Sequence, residues 1–174
     1  MEQLTPSMIE AMTPDEWVRF LREKYFRWKY TAANRYATTT GSLARQVEAE
    51  GVDHLDQIRA RIVHPESQRL GDRLRTVMEI KGLGPAGASG LLSLLYPTEF
   101  GTVDQFVVKA LREIKELPER EVLLAMEPES LGVSDAVLLI LILSRKAQLL
   151  NKAFNSSGWT PRRVEMVLWA VGRK

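Results

Sequence analysis

With 174 residues, the chain is long enough for one compact domain or two small lobes sharing a core. Its 45% hydrophobic and 26% charged content is that of an ordinary globular protein, and the absence of Cys excludes disulfides, Cys-ligated zinc and iron–sulfur clusters. Two histidines, His54 and His64, argue against a His-rich metal site or a His-based triad. The net charge of +2 permits a nucleic-acid partner without arguing for one. No metal and no cofactor is expected.

The N-terminal stretch lacks the basic start and apolar core of a signal peptide. The longest strongly apolar run, Ala136 to Leu143, is too short to span a bilayer. The expectation is a cytoplasmic protein without a membrane partner, nucleoid-associated if bacterial.

Nearly every segment reads as helix. Thr13-Pro14-Asp15-Glu16 is a strong helix start, with a capping Thr, Pro in the first turn and two acids facing the dipole. Trp17, Phe20, Leu21, Tyr25 and Trp28 follow as one amphipathic face. Thr31 to Gly41 lacks periodicity and predicts a bend. A short helix over Ser42 to Glu50 closes at Gly51, and Asp53 caps another with Leu55, Ile58 and Ile62 inward. Pro65 opens a fourth, buried through Leu70, Leu74, Val77 and Ile80. Helices over Pro85 to Tyr96 and Asp104 to Ile114 follow, and Pro118 begins a short one. Ser134 or Asp135 caps the longest helix, through roughly Phe154, whose apolar first half predicts burial. Thr160-Pro161 repeats the cap-then-Pro start for a last helix containing Val164, Val167, Leu168 and Val171. No alternating pattern competes as a strand, so the fold class is all-α.

Ile80 to Leu111 carries the chemistry. Gly82 and Gly84 in a very short turn supply positive φ and let backbone N–H groups approach a ligand closely. The helix from Pro85 points its positive end the same way, and Lys81 lies alongside. Together they suit an anion of phosphate size, although a plain turn between packed helices explains the glycines equally. Asp104 follows at the mouth of a helix. It reads as an N-cap, as an aimed carboxylate, or as both.

Ile80-Lys81-Gly82-Leu83-Gly84 fits the hydrophobic-X-Gly-hydrophobic-Gly signature of helix-hairpin-helix DNA-binding motifs. Gly101-Thr102-Val103-Asp104-Gln105-Phe106-Val107 resembles the segment that carries the catalytic Asp in the helix-hairpin-helix (HhH-GPD) DNA glycosylase superfamily. Ala86, Gly87, Ala88 and Ser89 resemble that family's tightly packed second hairpin helix. Leu95-Tyr96-Pro97-Thr98 and Trp159-Thr160-Pro161-Arg162 resemble its bacterial 8-oxoguanine-glycosylase-like branch. The specific resemblance covers about residues 70 to 112.

The resemblance implies a two-lobed fold, with a continuous hairpin lobe over residues 37–132 and a second lobe from 1–36 plus 133–174. It implies that Lys81, Gly82, Leu83, Gly84 and Ala86 hold the backbone of double-stranded DNA carrying a damaged base. Asp104 would stabilise the positive charge that develops on the sugar as the base leaves. One departure matters. Bifunctional members carry a nucleophilic Lys where this chain has Ala86, and Ala cannot attack a sugar. The implied activity is therefore that of a monofunctional glycosylase using water. A non-catalytic DNA-binding or scaffold protein, and a helical interaction protein without DNA affinity, are the alternatives.

Two further surfaces stand out. Arg22, Lys24, Arg27, Lys29 and Arg35 interleave with Tyr25, Phe26, Trp28, Tyr30 and Tyr36. That mixture either tracks phosphates and stacks on bases or is the solvated face of an amphipathic helix. By order along the chain, Asn34 and Arg35 are the candidate wedge or groove contacts of a base-flipping protein.

Overall fold

The computed structural model describes residue 1 and residues 3–173, and every regular element among them is a helix. Caps set several starts. Thr5, Thr13 and Thr160 each accept a bond from the N–H three residues on, and each precedes a Pro, opening α1 (Pro6–Glu10), α2 (Pro14–Phe20) and the last helix. Glu16 completes a capping box by accepting the Thr13 N–H at 2.8 Å.

The chain does not leave α2 as an α-helix. It passes through a π turn, Leu21–Tyr25, into α3 (Phe26–Lys29). A π turn holds one more residue than an α turn, so everything after it is rotated by about 100°. Uninterrupted α geometry would carry Lys24 and Trp28 inward beneath Trp17. Instead Tyr25 and Phe26 are buried, Lys24 is exposed, and Lys29 turns towards the interior.

The expected bend over Thr31 to Gly41 and the short helix after it are one helix, α4 (Ala33–Glu50). Its Thr-rich first half has weak helix propensity, but tertiary packing overrides it, with Thr39 buried and Tyr36 packed on the core. Gly51 ends α4 at φ +81° and is also the N-cap of α5 (Val52–Val63), which moves the cap two residues ahead of Asp53. Leu55, Ile58 and Ile62 point inward as expected.

Pro65 does not open a helix. The stretch up to Arg69 is irregular, and α6 (Leu70–Met78) starts after Ser67, whose hydroxyl donates to Asp72 at 2.8 Å. Then come α7 (Pro85–Leu95), α8 (Gln105–Arg112), α9 (Arg120–Ala125), α10 (Val133–Ala153) and α11 (Pro161–Gly172). The cap of α10 is Gly132 rather than Ser134 or Asp135, and the Asp135 carboxylate accepts the Gly132 N–H. The first half of α10 is buried on most sides but not all, since Leu141 is exposed. On α11, Val164 is buried while Val167 and Val171 face solvent.

α1 and α2 rest on α5, α6 packs against α7 and α10, and α11 lies along α8 and against α10. One hydrophobic cluster joins Trp17, Tyr25 and Phe26 to Leu74, Leu91, Leu139, Leu143 and Val164. It draws on residues of both expected lobes. Arg73 is buried among these elements, between the faces of Tyr96 (4.2 Å) and Phe100 (4.7 Å) and paired with Glu99 at 2.6 Å. This clamp fixes the connection that leads from α7 towards α8. Among the described residues no helix is long and apolar enough to cross a membrane.

Candidate active cleft

The hairpin is held from below. Ile80 and Leu83 are buried and anchor the turn in the core. The Gln46 side chain, buried on α4, accepts the Lys81 N–H at 2.8 Å and donates to the Glu79 carbonyl at 2.9 Å. The Leu83 N–H is also spent internally, on the Ile80 carbonyl at 3.1 Å. Gly82 has φ +95°. Gly84, expected to need the same, is the N-cap of α7 at φ −90°, a conformation open to any residue. The first N–H groups of α7 have no partner within the helix. Pro85 has no N–H, so Ala86 and Gly87 supply them, both on the cleft wall.

Asp104 is the N-cap of α8. Its Oδ1 accepts the N–H groups of Phe106 at 3.0 Å and Val107 at 3.3 Å. The other oxygen is left for the cleft. Ser89 sets the approach of this segment to α7: its hydroxyl accepts the Val103 N–H at 3.0 Å and donates to the Ala86 carbonyl at 3.2 Å. One buried hydroxyl thus ties the residue before the acid to the residue that stands in for the family's Lys.

Lys29 meets Asp104 there. Its Nζ lies 3.8 Å from Asp104 Oδ2, with the two side chains 11% and 18% exposed, so the pair faces the cleft and little else. The π turn delivers the amine, and small residues on α7 admit it. The Tyr25 hydroxyl donates to the Gly87 carbonyl, and a methyl group at Gly90 would sit 2.8 Å from that hydroxyl and 3.4 Å from Lys29 Cδ. The Lys29 stem therefore lies along a helix that has no side chain at that point.

Behind the pair, Glu165 of α11 is buried with Arg162 as its ion-pair partner. Glu165 also accepts the Thr102 N–H at 3.4 Å, and Arg162 donates to the Thr102 hydroxyl at 3.3 Å. Burial lowers the Lys29 pKa below its ordinary 10.5, and the attraction of Asp104 and Glu165 only partly offsets this. Burial raises the Glu165 pKa above 4.5 against the opposing pull of Arg162. Two cations and two carboxylates share one poorly hydrated corner.

The cleft has a volume of about 550 Å³. One wall is Lys29 to Ala32 with Arg35 and Thr39, the second is Gly82 and Gly84 to Gly87, the third is Asp104 to Phe106, and Pro128 to Leu131 close the rim. Of the residues singled out from sequence, Gly82, Gly84, Ala86, Asp104 and Arg35 line it. Lys81 is exposed outside the lining, Leu83 is buried beneath the turn, and Asn34 sits in the first turn of α4, exposed and off the wall. Phe106 borders the cleft and meets Trp169 edge-on at 5.9 Å. Arg22, Lys24 and Arg27 lie on the solvated face. A second hollow of about 490 Å³, bounded by Trp159, Arg163, Met166 and Val167, includes none of the predicted site residues.

Sequence reasoning did not place Lys29, Gln46 or Ser89 at the site. The one local signal for Lys29 is the pair Gly87 and Gly90, glycines three residues apart on a helix whose neighbours must come unusually close. In comparisons with known proteins, no family model, no curated protein and no solved structure matched the chain.

Proposed function

We propose that the chain binds double-stranded DNA through its hairpin and excises a damaged base as a monofunctional glycosylase of the two-lobed helix-hairpin-helix type. The lobes of this reading are residues 37–132 and 1–36 plus 133–174. The observation that carries it is the convergence of the Gly82–Gly84 turn and Asp104 on one cleft of about 550 Å³, within the usual range of small-molecule sites.

In this reading the free N–H groups of Ala86 and Gly87 and the dipole of α7 hold a phosphate, and Lys81 adds charge from outside. Leu83 contributes by fixing the turn. Arg35 is the better placed of the two wedge candidates, because it borders the cleft. Asp104 caps α8 with one oxygen and turns the other towards the extruded nucleotide. There it stabilises charge on the sugar and orients the attacking water.

A second reading, a DNA-binding or scaffold protein without chemistry, draws on Ala86 in place of a nucleophile. Incubation with duplexes carrying oxidised, alkylated or deaminated bases, followed by an assay for abasic sites, separates the two. Excision of one lesion, abolished by Asp104→Asn, supports the enzyme. Salt-dependent duplex binding without any abasic product supports the scaffold.

A further inference from the structure

We propose that Lys29 is an amine nucleophile that forms an imine with the C1′ aldehyde of an abasic deoxyribose held in the cleft. The inference rests on the DNA reading above and gives the cleft a reaction beyond base removal. Three observations place it. The amine faces the same cleft as the hairpin turn and Asp104. It lies 3.8 Å from the Asp104 carboxylate, longer than a hydrogen bond, so it is held near the acid without being consumed by it. Its stem is packed along Gly90 of α7, which fixes its direction.

The environment suits a nucleophile. Asp104 faces the amine from the start of α8, Glu165 and Arg162 from α11, and the Tyr25 hydroxyl lies alongside from its own helix. Burial outweighs the two carboxylates and favours the neutral amine, the form that attacks carbonyls.

The step balances without a cofactor. The amine lone pair attacks C1′ of the ring-opened sugar, the carbonyl oxygen leaves as water, and an imine joins Nζ to C1′. The C2′ proton then passes to the Asp104 carboxylate, its electron pair forms the C2′–C3′ double bond, and the 3′ phosphate leaves with the C3′–O pair. Water hydrolyses the imine and returns the lysine. Ala86 marks the place where related proteins carry a lysine; here the amine comes from the opposite wall.

The test uses the full chain with two duplexes and sodium cyanoborohydride. One duplex carries a single natural abasic site, the other a tetrahydrofuran analogue that has no aldehyde. The expected result is binding of both, a covalent adduct with the first alone, and mass-spectrometric assignment of the adduct to Lys29. Lys29→Arg should reduce the adduct to below about a tenth of wild type. The mapping is done on the unaltered chain, so it stands even if that variant folds poorly. Binding of both duplexes without an adduct, or an adduct on Lys81 or the N-terminal amine, overturns the proposal while leaving DNA binding intact. Failure to bind either duplex overturns the DNA reading, and the lysine proposal falls with it.

Discussion

At Gly82 a methyl group would sit 2.8 Å from Thr39 Cγ2 and 3.0 Å from the Thr39 carbonyl, on a backbone at φ +95°. At Gly84, two residues on, it would meet nothing within 4 Å, on a backbone at φ −90°. The first glycine is required by the way α4 passes under the turn. Nothing in the fold requires the second, which stands on the cleft wall where a ligand would approach. The same contrast divides the two buried cations. Arg73 is closed in by Tyr96, Phe100 and Glu99, whereas Lys29 keeps one side open to the cleft. Positions that the fold demands and positions that only the cleft can use are interleaved within a few residues, and substitution separates them.

The largest effect is expected at Asp104. Asn caps helices about as well as Asp, so Asp104→Asn should leave thermal unfolding nearly unchanged. Base excision, measured as abasic product per unit time, should fall by about a hundredfold or more, in line with the loss of one charge-stabilising group. Equal losses of stability and activity would place Asp104 with the fold. Gly82→Ala comes next: denaturant titration should show about 2–4 kcal/mol of destabilisation, from the disfavoured backbone and the contact with Thr39. Gly84→Ala should do the reverse. Its stability should stay within about 1 kcal/mol of wild type, while duplex affinity, read by fluorescence anisotropy at fixed salt, should weaken roughly fivefold, or about 1 kcal/mol. If Gly84→Ala instead unfolds the chain, the distinction between the two glycines collapses.

The smallest effect is a pH dependence. The Lys29 pKa is depressed in the folded state, so between that value and the unfolded 10.5 the unfolded chain binds more protons, and stability rises with pH. The contribution is present above 10.5 and lost as pH falls through the folded value. Tyr25 titrates in the alkaline range with the opposite sign, because burial raises its pKa. The stability of wild type minus that of Lys29→Met cancels Tyr25 and should climb with pH on the approach to 10.5. A flat difference would mean that Lys29 is better hydrated than its burial implies.

The helical class and the caps at Thr13, Asp104 and Thr160 were legible because they depend on neighbours three or four residues away. The first half of α4 was not, since Thr38, Thr39 and Thr40 argue against helix until Gly82 packs against Thr39. Pro65 misled for a related reason: a proline fits a helix start but does not compel one, and here Ser67 and Asp72 set the entry. At the site, the hairpin and its acid were visible as local patterns. Lys29 was not, because its direction depends on a π turn that a 3.6-residue period cannot register.

That turn makes the position of the amine a matter of counting. A single residue removed from Leu21–Tyr25, such as the exposed Glu23, would let the segment close as continuous α-helix. It would also turn α3 by about 100° relative to α2. With α2 held on α5, Tyr25 and Lys29 could no longer both face α7. An in-frame deletion of one codon would thus silence the cleft while sparing every side chain in it. Substitution scanning of the same five positions would pass over that vulnerability.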